Sequence, residues 1–170
     1  MMSISNAIKT RNEILIPMAG LVIGKNDTVL RTFVGSCVAI CIYDETQKIG
    51  GMAHVMLPKN NTGNSTKGTK QEGKFADEAI DILIEKLMQL SPNSKLQAKI
   101  AGGAKIFAHE SDSGTLNIGN KNIIGTRLIL QEKKIPIVSQ SVGSQNGRWV
   151  TFYCNTQRVT VKEKEGEKTI

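Results

Sequence analysis

Long apolar runs are missing from this chain of 170 residues: nothing approaches the roughly 18 consecutive apolar residues of a membrane-spanning helix. The first residues mix Ser3, Ser5, Asn6 and Lys9 among apolar ones, with no apolar block before a small-residue cleavage site, so no signal peptide is predicted and a cytoplasmic location is expected. Cysteines number three, an odd and small count that does not make a disulfide framework. Cys37 and Cys41 are spaced C-x-x-x-C, but no second pair follows and Cys154 is distant, so no metal site is expected. Aromatics are sparse, with one Trp, two Tyr and four Phe. Too few lie among the lysines to form the stacking platforms of single-strand binders, and the net charge of +7 therefore points to solvated surface and acidic protein partners rather than nucleic acid. Gly102-Gly103-Ala104 lacks the G-x-G-x-x-G and Walker spacings, which leaves a tight backbone approach as its reading and no cofactor.

What is present is a succession of short β-type runs: Leu21 to Ile23, Thr28 to Val34, Cys37 to Tyr43 and Gly51 to Leu57, separated by Gly24-Lys25-Asn26-Asp27 and Asp44 to Lys48. The continuously apolar Val38 to Ile42 predicts a strand covered on both faces. Residues 59–73 are polar and predict a mobile loop, either a lid beside His54 or a plain exposed connection. Ala76, Ala79, Ile80, Leu83, Leu87 and Leu90 make one apolar stripe on a helix from about Lys74 to Leu90, with Asp77, Glu78, Asp81 and Glu85 toward water. Lys95 to Ala101 reads as a strand, and a second helix is predicted from about Asn120 to Lys134. Ile135 to Val142, Arg148 to Cys154 and Arg158 to Lys162 read as a β-meander, followed by a disordered charged tail. The expectation is one α+β domain over 1–170, a layered α/β sandwich with mixed β-sheets and two main helices, flexible at about 1–11 and 163–170.

Only two histidines are present, and one of them follows a cysteine at close range. Gly35-Ser36-Cys37-Val38-Ala39 puts Cys37 at a glycine-marked turn entering the apolar strand, and Gly51-Met52-Ala53-His54-Val55-Met56-Leu57-Pro58 puts His54 on the next strand. Consecutive strands commonly pair, which brings the two together. A free thiol is mostly protonated at neutral pH and needs a base, so the pair predicts covalent chemistry on a carbonyl or amide, with His54 as base and then acid. Backbone N–H groups of the Gly35-Ser36-Cys37 turn are the expected oxyanion donors, and Thr32 is the candidate for orienting the imidazole. Cys41 reads as a small buried hydrophobe, His109 as a polar-loop residue without a partner, and Ser36 as a turn residue because no G-x-S-x-G elbow surrounds it.

These segments resemble the chemoreceptor glutamine deamidases of bacterial chemotaxis, the CheD family. The likeness lies in Thr32, Gly35 to Ala39, Asp44 and Gly51 to Pro58, in Lys74-Phe75-Ala76-Asp77, in Ala101 to Phe107, in Ile118 to Asn122, and in Ile135 to Val138 and Gly147-Arg148. The resemblance implies hydrolysis of glutamine side chains of methyl-accepting chemoreceptors to glutamate and ammonia. It makes Cys37 the nucleophile, His54 the base and Thr32 the third catalytic residue. It also implies a CheC-type phosphatase as partner. A non-catalytic adaptor regulating that phosphatase and the receptors, and a receptor methylesterase using the same nucleophile, are the alternatives.

Overall fold

The computed structural model describes residues 12–106 and 117–170. Its strands are β1 (Asn12–Leu15), β2 (Leu21–Lys25), β3 (Thr28–Val34), β4 (Val38–Asp44), β5 (Ile49–Val55), β6 (Leu96–Gly102), β7 (Ile137–Val142), β8 (Arg148–Tyr153), β9 (Arg158–Glu163) and β10 (Gly166–Thr169), with helices α1 (Ala76–Leu90) and α2 (Ile118–Glu132). Two five-stranded sheets form, one in the order β1-β3-β8-β9-β10 and the other β2-β5-β4-β6-β7. Both are mixed, since β1 runs parallel to β3 and β6 parallel to β7 while the other pairs are antiparallel. The expected α+β layered fold is what the chain adopts.

Alternation along β4 explains the layering. Val38, Ile40 and Ile42 join Ala79, Ile80, Leu83, Leu87 and Leu130 in a cluster under the helices. Ala39, Cys41 and Tyr43 point the other way, into a cluster shared with Leu30, Val34, Val150 and Phe152 of the first sheet. Successive side chains of a strand face opposite sides, so a strand with both faces covered is apolar on both, as Val38 to Ile42 are. All seven residues of β4 are buried, the last being Asp44, whose carboxylate accepts from the Thr46 and Gln47 backbone N–H groups. Full burial of each Val and Ile side chain of β4 is worth about 1.5–3 kcal/mol. The order is therefore sheet, sheet, helices, with β4 in the middle layer.

Four expectations are corrected. The predicted meander is broken, because β7 pairs with β6 in the helix-covered sheet while β8 and β9 lie in the other. Parallel neighbours need a long crossover, and α2 is that crossover, so β6-α2-β7 is a strand–helix–strand unit. The turn between β7 and β8 passes from sheet to sheet, and the buried Arg148 fixes it by donating to the carbonyls of Ser141 and Gly143 and to the Ser144 hydroxyl. The charged tail is not disordered: Gly166–Thr169 pairs with β9, and the Ile170 carbonyl accepts from Lys99 Nζ at 2.9 Å.

The polar loop 59–73 is tied down by hydrogen bonds in place of apolar anchors. Asp77 and Glu78, expected to face water, instead receive the Asn60 backbone N–H and the Thr66 N–H and hydroxyl respectively. Its bonds run to α1 and within itself, and its last residue, Gly73, donates to the carbonyl of Ala19, next to Gly20, whose carbonyl accepts the His54 backbone N–H. Strand β1 was not expected at all. The N-terminal segment to Arg11 and the His109 loop lie outside the described residues.

The glycine pair behaves as its sequence implied. Gly102 has φ +120°, and a Cβ there would stand 2.3 Å from the Cys37 carbonyl oxygen. An L side chain is strained at that φ and collides with backbone. Gly102→Ala is expected to destabilise by about 1–3 kcal/mol, read as a lower urea midpoint, and to displace the Cys37 turn.

Candidate active site

Cys37 immediately precedes β4 and is half-buried, whereas Cys41 and Cys154 are fully enclosed. Three successive carbonyls of its turn are held from outside. Gly35 O accepts from Ala104 N at 2.9 Å, Ser36 O from Asn122 Nδ2 at 3.0 Å and Cys37 O from Gly103 N at 2.8 Å. The turn is thereby fixed to the exit of β6 and to α2. A shallow cleft lined by Ser36, Ala104, Lys105, Ile106 and Asn117 to Gly119 opens beside it.

His54 lies on β5 directly opposite Ala39 of β4. It shares a strand face with Met52, and Cys37 shares one with Ala39, so both point into the layer between the sheets. The two are diagonal neighbours, a relation that places Cβ atoms about 7–8 Å apart and within reach of an imidazole. His54 Nδ1 lies 2.7 Å from Thr32 Oγ1, and Thr32 Oγ1 donates to the Ile16 carbonyl at 2.8 Å. A hydroxyl has one proton, and this one goes to Ile16, so Thr32 accepts from Nδ1–H. The imidazole is therefore the Nδ1–H tautomer, with Nε2 carrying a lone pair that has no protein partner. That lone pair is what a base needs.

The three sequence candidates Cys37, His54 and Thr32 thus gather at one place, although Thr32 belongs to the other sheet. Sequence reasoning missed two contributors. Ile16 supplies the carbonyl that fixes the Thr32 proton, and Asn122 anchors the cysteine turn. Ile16 carries no local pattern that marks it, and Asn122, though inside the Ile118 to Asn122 likeness, is given no role by it. Of the other cysteines, burial drives the Cys41 thiol far up and raises Cys154 to about 11, which leaves both inert.

Burial lowers the His54 imidazole from 6.5 to about 4. Burial also raises the Cys37 thiol, partly offset by its own backbone N–H, which favours the thiolate. Both shifts favour the uncharged forms, so the resting pair is thiol and neutral imidazole rather than thiolate and imidazolium. Cys37 is accordingly expected to react slowly with iodoacetamide at neutral pH, with a rate still rising above pH 9. A plateau reached by pH 7 contradicts that resting state.

A two-sheet α+β protein with an accessible thiol diagonally across a strand pair from an imidazole oriented by a buried hydroxyl falls in the class equipped for thiol-based acyl transfer. Residues 56–163 match the family model described as CheD chemotactic sensory transduction. The chain is 38% identical over 148 residues to the chemoreceptor glutamine deamidase CheD of Halalkalibacterium halodurans, covering 84% of this chain and 88% of that protein. It is 40% identical over 151 residues to a probable chemoreceptor glutamine deamidase CheD of Caldanaerobacter subterraneus, covering 86% and 90%. A protein of the same description from Archaeoglobus fulgidus is 39% identical over 156 residues, covering 91% and 96%. The chain belongs to the CheD family.

Proposed function

We propose that this protein hydrolyses glutamine side chains of methyl-accepting chemoreceptors to glutamate and ammonia, with Cys37 as nucleophile, His54 as acid–base group and Thr32 as its orienting partner. The observation that carries the roles is the hydrogen-bond chain from His54 Nδ1 through Thr32 to Ile16, which leaves Nε2 as the basic atom facing the layer of Cys37. The substrate class comes from the descriptions of the relatives. In the first step His54 Nε2 takes the Cys37 thiol proton as Sγ bonds to the carboxamide carbon. The resulting oxyanion is met by backbone N–H groups of the Gly35-Ser36-Cys37 turn, a stabilisation worth about 10²–10³ in rate per donor. His54 then gives its proton to the amide nitrogen, the C–N bond breaks, and ammonia leaves behind a thioester. Water, deprotonated by Nε2, attacks the thioester; the C–S bond breaks and the proton returns to sulfur.

This chemistry needs the base neutral, and a pKa near 4 keeps it so across the physiological range. Among the described residues no helix is long and apolar enough to cross a membrane, in keeping with work on the cytoplasmic helices of the receptors. A CheC-type phosphatase belongs to the same reading as a partner that competes with the receptors for the protein. The test is mass spectrometry of a chemoreceptor co-expressed with this protein, in which defined glutamines are expected to become glutamate. An unchanged receptor overturns the substrate assignment, and loss of methyl groups in place of ammonia replaces it with an esterase.

A further inference from the structure

Backbone carbonyls from both arms of the site converge on one side chain. Asn122, on α2 and fully buried, donates through Nδ2 to Ser36 O at 3.0 Å and to Met56 O at 2.9 Å. Ser36 immediately precedes Cys37, and Met56 stands two residues beyond His54. Both partners are carbonyl oxygens, so the NH₂ end of the amide must face them; the flipped amide sets oxygen against oxygen.

The location of these bonds gives them their meaning. The β4–β5 ladder ends at Val38 opposite Val55, so Cys37 and Met56 lie just past its last pair, where the two strands are free to part. The side-chain amide spans that gap in place of a further ladder rung. Its helix is itself held tight, since a Cβ on Gly119 would stand 2.5 Å from the Gly103 carbonyl oxygen. Gly103 in turn donates to the Cys37 carbonyl. We propose that Asn122 is a positioning residue of this site: it clamps the nucleophile turn to the base-bearing strand and so fixes the separation of Cys37 and His54. This rests on the catalytic roles given to that pair above.

Misplacement of reacting groups by about 1 Å can cost about 10²-fold in rate. Asn122→Ala is therefore expected to lower kcat for ammonia release from a chemoreceptor cytoplasmic fragment by about 10²-fold, with KM changed by less than about twofold. Thr126→Ala is the control for helix packing alone. Thr126 is equally buried, one turn along the same face of α2, and kcat is expected to stay within about threefold of wild type. If Asn122→Ala does not fold, Asn122→Leu, which keeps the branched side-chain skeleton and also lacks the donor, carries the same prediction.

Combining Asn122→Ala with His54→Gln is expected to cost little more than His54→Gln alone, because groups acting as one unit are lost together. A folded Asn122 variant with kcat within about threefold of wild type, an equal loss in Thr126→Ala, or additive losses in the double variant overturns the proposal. Full turnover by Cys37→Ala strikes instead at the catalytic reading beneath it, so the two failures are told apart.

Discussion

Cys37→Ala is expected to abolish ammonia release from a chemoreceptor fragment, whereas Cys41→Ala and Cys154→Ala retain turnover. The contrast follows from position. Cys37 is the accessible thiol of the three, held at the entry of β4 by bonds to all three carbonyls of its turn. Cys41 and Cys154 are enclosed between the sheets, where burial keeps them protonated and no substrate reaches them. Without sulfur there is no thioester, and what the turn and the imidazole still supply does not create a nucleophile. The Cys37 variant is expected to fold, because the group removed is small and only partly buried. Binding of receptor, and of the CheC-type phosphatase proposed as a partner, should therefore survive the loss of chemistry, and a pull-down beside the ammonia assay separates catalyst from adaptor. Undiminished ammonia release from Cys37→Ala contradicts the nucleophile assignment outright.

His54→Gln is expected to lower turnover by about 10²–10⁴-fold, the usual contribution of a positioned acid–base group. It also has a signature in stability. The folded imidazole titrates at about 4 and the unfolded one near 6.5, so the unfolded chain takes up its proton first as the pH falls. The stability held with a neutral His54 is complete above pH 6.5 and is lost as the pH drops toward 4. A shift of this size corresponds to about 3 kcal/mol. Asp44 and Glu78 also titrate low, burial being outweighed by the sum of their hydrogen bonds, and they add their own loss in acid. The diagnostic quantity is thus the difference between wild type and His54→Gln in urea unfolding at pH 7 and pH 4. The variant should lose about 3 kcal/mol less. Equal losses would mean that the imidazole is not held neutral by burial. In wild type, the acid limb of kcat/KM should likewise fall near pH 4 rather than 6.5.

Much of this site was legible in the sequence because the informative residues are rare and close together. Cys37 sits at the entry of one strand and His54 on the next, and consecutive strands pair, so their neighbourhood needed no knowledge of the fold. Thr32 was legible as a candidate, but its place is set by the stacking of one sheet on another, which no period in the sequence encodes. Asn122 meets partners 86 and 66 residues away, and its side chain resembles any polar residue near a helix start. The fate of β7 was open to better reading, since the 15-residue helix before it is the connection a parallel pair requires. The loop at 59–73 was misjudged because polar composition says nothing about whether Glu78 waits underneath to receive Thr66. The tail was misjudged for a similar reason: its charges stand outward on the edge strand of a hairpin, held along one side by its pairing with β9.

The Thr32–His54 bond joins a strand of one sheet to a strand of the other. Its length of 2.7 Å leaves little allowance for the two sheets to slide across each other. The working order of the imidazole is therefore a gauge of how the layers are seated, sensitive to shear that leaves every strand and both helices intact. On slow warming, activity should fade while the far-ultraviolet circular dichroism still reads as native, because the contact between the layers gives way before the layers themselves.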